Sequence, residues 1–313
     1  MSHQVKPPSD DGSGTRVRNK ERWSQSGFSS GNAPALSRTR PRTWLRRQWD
    51  VLWAVASVTY KEWAAYRTHS MVSIFVGPVY FIVQYFIWTA VYGDNATLGG
   101  MELTQMIRYF GAAALIQYLT MDFADWNLSM LIRTGKYLTF AMRPIHHRYF
   151  AFSQKVGHRI LGFLFEFLPC LVIFVLLFRV DMRPAHPVWL IVSVFLAFMM
   201  TFYVHYCLGL ASFWLVESAG LRGVVATLSS FFSGELIPLV FFPHWLQVLQ
   251  FFLPFQYMLY VPAMVFTGAY TLGSSVIPIP QILAYQAIAV AVMWLISELL
   301  YRAAMRRFND ANN

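Results

Sequence analysis

Charge is what this chain has least of. Of its 313 residues, 15 are Asp or Glu and 25 are Lys or Arg, together 13%, where soluble domains carry roughly 25%. With hydrophobic residues at 56%, the composition excludes one water-soluble core and describes an integral membrane protein. Most of the length is then divided among spans of about 20 residues, leaving little for a folded domain in water. Cysteine is nearly absent. Cys170 and Cys207 stand in separate apolar stretches, with no CxxC and no nearby His pair, and read as small buried hydrophobes. The chain also has no nucleotide motor: its sole Gly-Lys pair, Gly135-Lys136, is followed by Tyr137 and has Met130 where a P-loop needs its first glycine. No HExxH, GxSxG or EF-hand pattern occurs. His146-His147 adjoins Arg143 and Arg148, where a metal would meet charge repulsion and no paired carboxylate, so these histidines are expected at the surface without a metal.

What is present is arranged in order along the chain. Residues 1–42 are polar, rich in Ser, Gly, Pro and Arg, and lack an apolar h-region, so they read as a disordered basic cytoplasmic tail. Residues 1–50 hold ten Lys or Arg and four Asp or Glu, a net of 10 − 4 = +6. Attraction to the anionic cytoplasmic leaflet accounts for that charge more simply than nucleic acid does. Between 44 and 66, Leu45, Trp49, Leu52, Trp53, Ala56, Tyr60 and Trp63 recur at spacings of three and four, opposite Arg46, Arg47, Asp50, Lys61 and Glu62. That stripe predicts an amphipathic elbow helix lying at the headgroup boundary; a helix packed on other helices is the alternative.

Six membrane segments follow, at about Met71–Tyr92, Leu103–Phe123, Gly157–Phe178, Val188–Val216, from Val224 onward, and Gln281–Tyr301. The expected fold is therefore an all-α integral membrane protein. Arg133, Lys136, Arg143, Arg148, Lys155 and Arg159 cluster between the second and third segments, Arg222 lies between the fourth and fifth, and Arg302, Arg306 and Arg307 follow the sixth. By the positive-inside rule both ends are cytoplasmic, against which only the loop at Arg179 and Arg183 speaks.

The stretch from Phe231 to Gly268 has the apolar content of a span but is broken by Pro238, Pro243, Pro254 and Pro262 and carries Glu235. It cannot be one straight helix. Irregular backbone at membrane depth survives only where protein or a wet cavity satisfies its polar groups, which points to transport. Gly234 to Gly268 should enter from the outer face and return to it, with Glu235 at an outer gate. Other ionisable groups inside spans, Arg108, Glu166, His205 and Glu298, each ask for a partner. Arg108 with Glu166 and Glu298 with Arg302 are the pairings the spacing suggests.

The elbow helix, the six spans, the pattern Ser233-Gly234-x-x-x-Pro238 with Pro243, Leu253-Pro254-Phe255 and Gly268, and the loop pattern Ile132-Arg133-x-Gly135 followed by Arg143-Pro144 together resemble the membrane subunit of ABC transporters of the ABC-2 type. The closest pattern is that of a poorly characterised bacterial branch. The resemblance covers residues 44–307, within a transmembrane domain drawn at 43–307 and followed by a tail at 308–313. It implies a bacterial inner-membrane permease of an exporter, working with separate ABC ATPase subunits that bring the ATP and magnesium, and with a second permease chain, identical or related. It implies a pair of re-entrant helices at 234–268 and a cytoplasmic coupling loop at 126–150. Within that loop a short helix between Gly135 and Pro144, carrying Leu138, Phe140 and Met142 between Arg133 and Arg143, would dock the ATPase; a basic loop that only obeys the positive-inside rule is the alternative. The first and fifth spans line the route in that family. Tyr80, Tyr85, Phe86 and Trp88 would then offer stacking surfaces to a substrate such as a glycan or lipid-like molecule, although an aromatic belt gives the same residues without a ligand. Export of polysaccharide specifically, or a membrane-embedded enzyme or assembly scaffold, are the competing functions.

Overall fold

The computed structural model describes residues 49–55, 57–59, 67–143, 145–215, 218–272 and 275–312. The 1–42 tail, Trp63 with most of the remaining elbow range, and Pro144 lie outside them. The chain is mostly helical, and among the described residues four helices are long and apolar enough to cross a membrane: Val72–Tyr92, His147–Leu176, Pro187–Phe213 and Ile279–Asp310. Helix α1 (Trp49–Thr59) is short and apolar, with Trp49 and Trp53 exposed.

Helix α2 (Arg67–Tyr92) contains Pro78. Proline has no N–H to offer the carbonyl four residues earlier, that of Ile74, and its ring crowds it. Tyr118 from the next helix repairs the gap. Its hydroxyl lies 2.7 Å from the Ser73 carbonyl and 3.2 Å from that of Ile74, and the Gly77 N–H donates to it at 2.7 Å. A Gly77 side chain would overlap that ring, since an added Cβ would stand 2.7 Å from Tyr118 Cε2.

A two-strand hairpin, β1 (Thr97–Leu98) and β2 (Met101–Glu102), turns on Gly99 and Gly100, both at positive φ. It leads into α3 (Leu103–Thr120), the central helix. The run Gly111-Ala-Ala-Ala114 gives α3 a narrow profile that lets α2, α8 and α11 close around it. Helices α4 (Ala124–Arg133) and α5 (Lys136–Ala141) follow.

The third long helix is α6 (His147–Gly162), a π-helical turn (Phe163–Phe167) and α7 (Leu168–Leu176) in continuous succession. The π turn ends two residues before Pro169, where the wider turn relieves the clash a proline makes with the preceding turn. This helix begins ten residues before the expected Gly157.

Helix α8 (Pro187–Leu210) ends in a 3₁₀ turn (Ala211–Phe213) and packs along α12 (Ile279–Asn312). Between them come α9 (Ala219–Phe232), a 3₁₀ turn (Leu239–Phe241), α10 (His244–Gln250), a second 3₁₀ turn (Phe255–Tyr257), α11 (Tyr260–Thr267) and the hairpin β3–β4 (Tyr270–Leu272, Ser275–Ile277). All eight residues of α11 are buried, whereas no residue of α9 is.

Two apolar clusters hold these elements. The larger joins α2, α3, α8 and α11; the smaller joins α4, α5, α6, the end of α8 and the end of α12. Because α12 runs through to Asn312, Phe308 belongs to the helix, and its ring packs 5.4 Å from that of Tyr137 on α5. Residues 308–312 continue that helix.

Candidate functional site

A cavity of about 410 Å³ opens between α2, α3, α8 and the irregular stretch after α9. Its wall carries Tyr80 and Tyr118, His205, Ser229, Ser233, Glu235 and Asp122, besides apolar groups. Hydroxyls and carboxylates at this depth require water or a ligand, because lipid offers no hydrogen bonds.

The irregular stretch is tied to the bundle by backbone atoms. Gly234 adopts φ +81°, closed to most side chains, and an added Cβ would lie 2.5 Å from the Tyr109 hydroxyl. That hydroxyl donates to the Gly234 carbonyl at 2.7 Å, and the Tyr80 hydroxyl donates to the Glu235 carbonyl at 2.6 Å. Tyr80 lies midway along α2, so the Glu235 backbone meets that helix near its middle. Pro238 and Pro243 precede the Leu239–Phe241 turn and α10, and Pro254 precedes the turn at Phe255. Polar side chains satisfy irregular backbone here: Gln247 Nε2 donates to the Val240 and Phe242 carbonyls, and Gln286 Nε2 on α12 donates to those of Ser193 on α8 and Tyr257 in the second 3₁₀ turn.

Beneath the cavity lies a set of buried charges. Lys155 Nζ is 3.1 Å from Asp122 Oδ2, with the two side chains 1% and 4% exposed. The same ammonium donates to the Phe198 carbonyl at 2.8 Å and sits over the Phe198 ring. Asp122 Oδ1 accepts the Phe123 and Ala124 N–H groups, capping the start of α4. Arg159 donates to the Tyr118 carbonyl at 2.7 Å and is 3.7 Å from Glu166, which accepts a bond from Ser73 on α2. His205 Nδ1 is 3.0 Å from Asp125 Oδ1.

Several expected placements change. Glu166 pairs with Arg159, not with Arg108, which instead donates to the Asp181 and Arg183 carbonyls; the loop at 179–183 folds back on α3 and supplies those acceptors. Lys155 and Arg159 are internal partners and not loop cations. His147 is not at the surface: it is 3% exposed, with its ring 4.7 Å from Phe140. Glu298 pairs with Arg302 as the spacing suggested, at 2.7 Å, and also with Arg148 at 3.0 Å.

Of the four aromatic candidates on α2, Tyr80 reaches the cavity, Tyr85 and Phe86 are exposed on the outside of the bundle, and Trp88 is buried between Phe110 and Phe241. In the loop, Gly135 takes φ +69° and begins α5. Leu138, Met142, Arg133 and Arg143 are exposed, whereas Phe140 and Tyr137 are buried. Sequence reasoning missed Tyr118, Asp122 and Lys155. The available signals were the four-residue spacing of Lys155 and Arg159, which puts both on one helix face, and a lone acid at the end of an apolar run.

These elements define a multi-pass helical membrane protein with a polar cavity walled by long helices and an irregular, proline-rich segment. The family model for ABC-2 family transporter proteins matches residues 79–312, and the chain belongs to that family. No curated protein matches it, and no solved structure does.

Proposed function

We propose that this chain is the permease subunit of an ATP-driven exporter in a bacterial inner membrane, forming its pathway with a second permease chain and coupled to separate ABC ATPase subunits. Membership of the ABC-2 family supports the transport role, and the single structural observation that carries it is the polar cavity beside Glu235. In this reading α3 and α9 span with the four long helices, both termini are cytoplasmic, and the chain from Gly234 to Gly268 forms the re-entrant pair. The second permease covers the lipid-side faces of α2 and α9, where Phe75, Phe86, Val224 and Phe231 are exposed.

The ATPase docks on α5. Tyr137 and Phe140 fix that helix to the bundle, through Phe213, Phe308 and His147, while Leu138 and Met142 project outward between Arg133, Lys136 and Arg143. Apolar anchors set within cationic rims suit a groove on a partner. Closure of the ATPases would push α5, and through the smaller apolar cluster the ends of α8 and α12. The test is co-purification with the ABC ATPase that partners this chain: Leu138→Asp with Met142→Asp should release it while the permease still inserts. Undiminished recovery of the ATPase removes α5 from the mechanism.

A further inference from the structure

We propose that the cavity selects lipophilic organic cations, a reading that rests on the transport function above and adds the substrate class. The wall holds Asp122, Glu235 and His205 as its ionisable groups besides tyrosine, and no Lys or Arg. Asp122 is neutralised from behind by Lys155 at 3.1 Å, and His205 is held by Asp125 at 3.0 Å. Glu235 has no Lys, Arg or His ion-pair partner among the described residues, and it is half-buried. The wall therefore presents one uncompensated negative charge.

The surroundings of that charge suit a cation that is also apolar. Tyr80, Tyr118 and Phe123 bring aromatic rings to the same wall, and Met121, Met258 and Leu259 bring apolar surface. Aromatic faces attract cations, more strongly when water is excluded. Thioether and aliphatic groups accept the hydrophobic body. The volume of about 410 Å³ falls within the range of ~300–1,000 Å³ usual for small-molecule sites. A polyanionic glycan or a diphosphate lipid would need Arg or Lys at the wall, where this site offers carboxylates.

The test is binding to the full-length chain in lipid nanodiscs, with empty nanodiscs subtracted, using tetraphenylphosphonium and tetraphenylborate, which match in shape and oppose in charge. Binding to the permease needs no ATPase, so a failure of docking or hydrolysis leaves this result readable. Tetraphenylphosphonium should bind at least about tenfold more tightly than tetraphenylborate, since a single charge at this depth is weakly screened. Glu235→Gln should remove most of that preference, while Asp94→Asn, in the exposed loop after α2, should leave it intact. Equal affinities, a preference for the anion, or an unchanged preference in a Glu235→Gln protein that melts like wild type would each overturn the assignment. Should Glu235→Gln fail to fold, the two ions titrated separately against the wild-type chain decide alone.

Discussion

Replacing Lys155 with Met tests the buried charges beneath the cavity. Met keeps most of the apolar stem but removes the ammonium that stands 3.1 Å from Asp122, donates to the Phe198 carbonyl and sits over the Phe198 ring. Breaking a buried pair by removing one partner leaves a charge without compensation, which costs about 3–5 kcal/mol. Asp122 also lines the cavity and keeps the Phe123 and Ala124 N–H groups on Oδ1, so water and the helix start soften the loss and the lower end, about 3 kcal/mol, is expected. That is roughly a hundredfold in the unfolding equilibrium. Asn at position 122 retains the Oδ1 acceptor without the charge, so Asp122→Asn combined with Lys155→Met should recover at least half of the loss. The assay is denaturant titration of the detergent-solubilised chain, followed by tryptophan fluorescence, for both single variants and the double. If Lys155→Met is as stable as wild type, or the double variant is no more stable than Lys155→Met alone, the pair is not what ties α6 to the link between α3 and α4.

Tyr118→Phe should cost about 1–3 kcal/mol, because it leaves the Gly77 N–H and the Ser73 carbonyl without their shared partner; hydrogen exchange at residues 73–78 should quicken, and unchanged exchange would show the proline gap is repaired otherwise. Gly234→Ala combines a positive φ with a Cβ 2.5 Å from the Tyr109 hydroxyl, so it should destabilise by more than about 1 kcal/mol, and Tyr109→Phe should relieve part of it; a neutral Gly234→Ala in thermal melts would refute the close approach. Phe140→Ala should destabilise the chain by about 3 kcal/mol or more, whereas Leu138→Ala should not, a contrast read directly from melting of the two variants.

Much of the fold was legible because its signals were local. Prolines at 238, 243 and 254 and glycine at 234 mark a break in any sequence, and the structure breaks there. The exposed and buried sides of α5 were not legible. Leu138 and Phe140 are equally apolar, and only the aromatic packing of His147 and Phe150 decides that Phe140 turns inward. The pairing of Glu166 was within reach of spacing: Arg159 stands seven residues before it, about two turns along one long helix and on the same face. Counting Arg159 among the cytoplasmic-loop cations left Arg108 as the expected partner. Lys155 was counted as a loop cation because the helix begins at His147, ten residues before the apolar run that announced it. The cavity is assembled from residues more than a hundred positions apart, such as Tyr80 and Glu235, and no spacing rule reaches that far.

The most direct test of the transport assignment is ATP hydrolysis in proteoliposomes holding this chain, the proposed partner ABC ATPase, or both. The account predicts no hydrolysis by the chain alone, since it has no P-loop, and hydrolysis by the pair that responds to tetraphenylphosphonium and is lost with Leu138→Asp and Met142→Asp. Hydrolysis by this chain alone, or an ATPase whose rate is the same with and without it, would contradict the account.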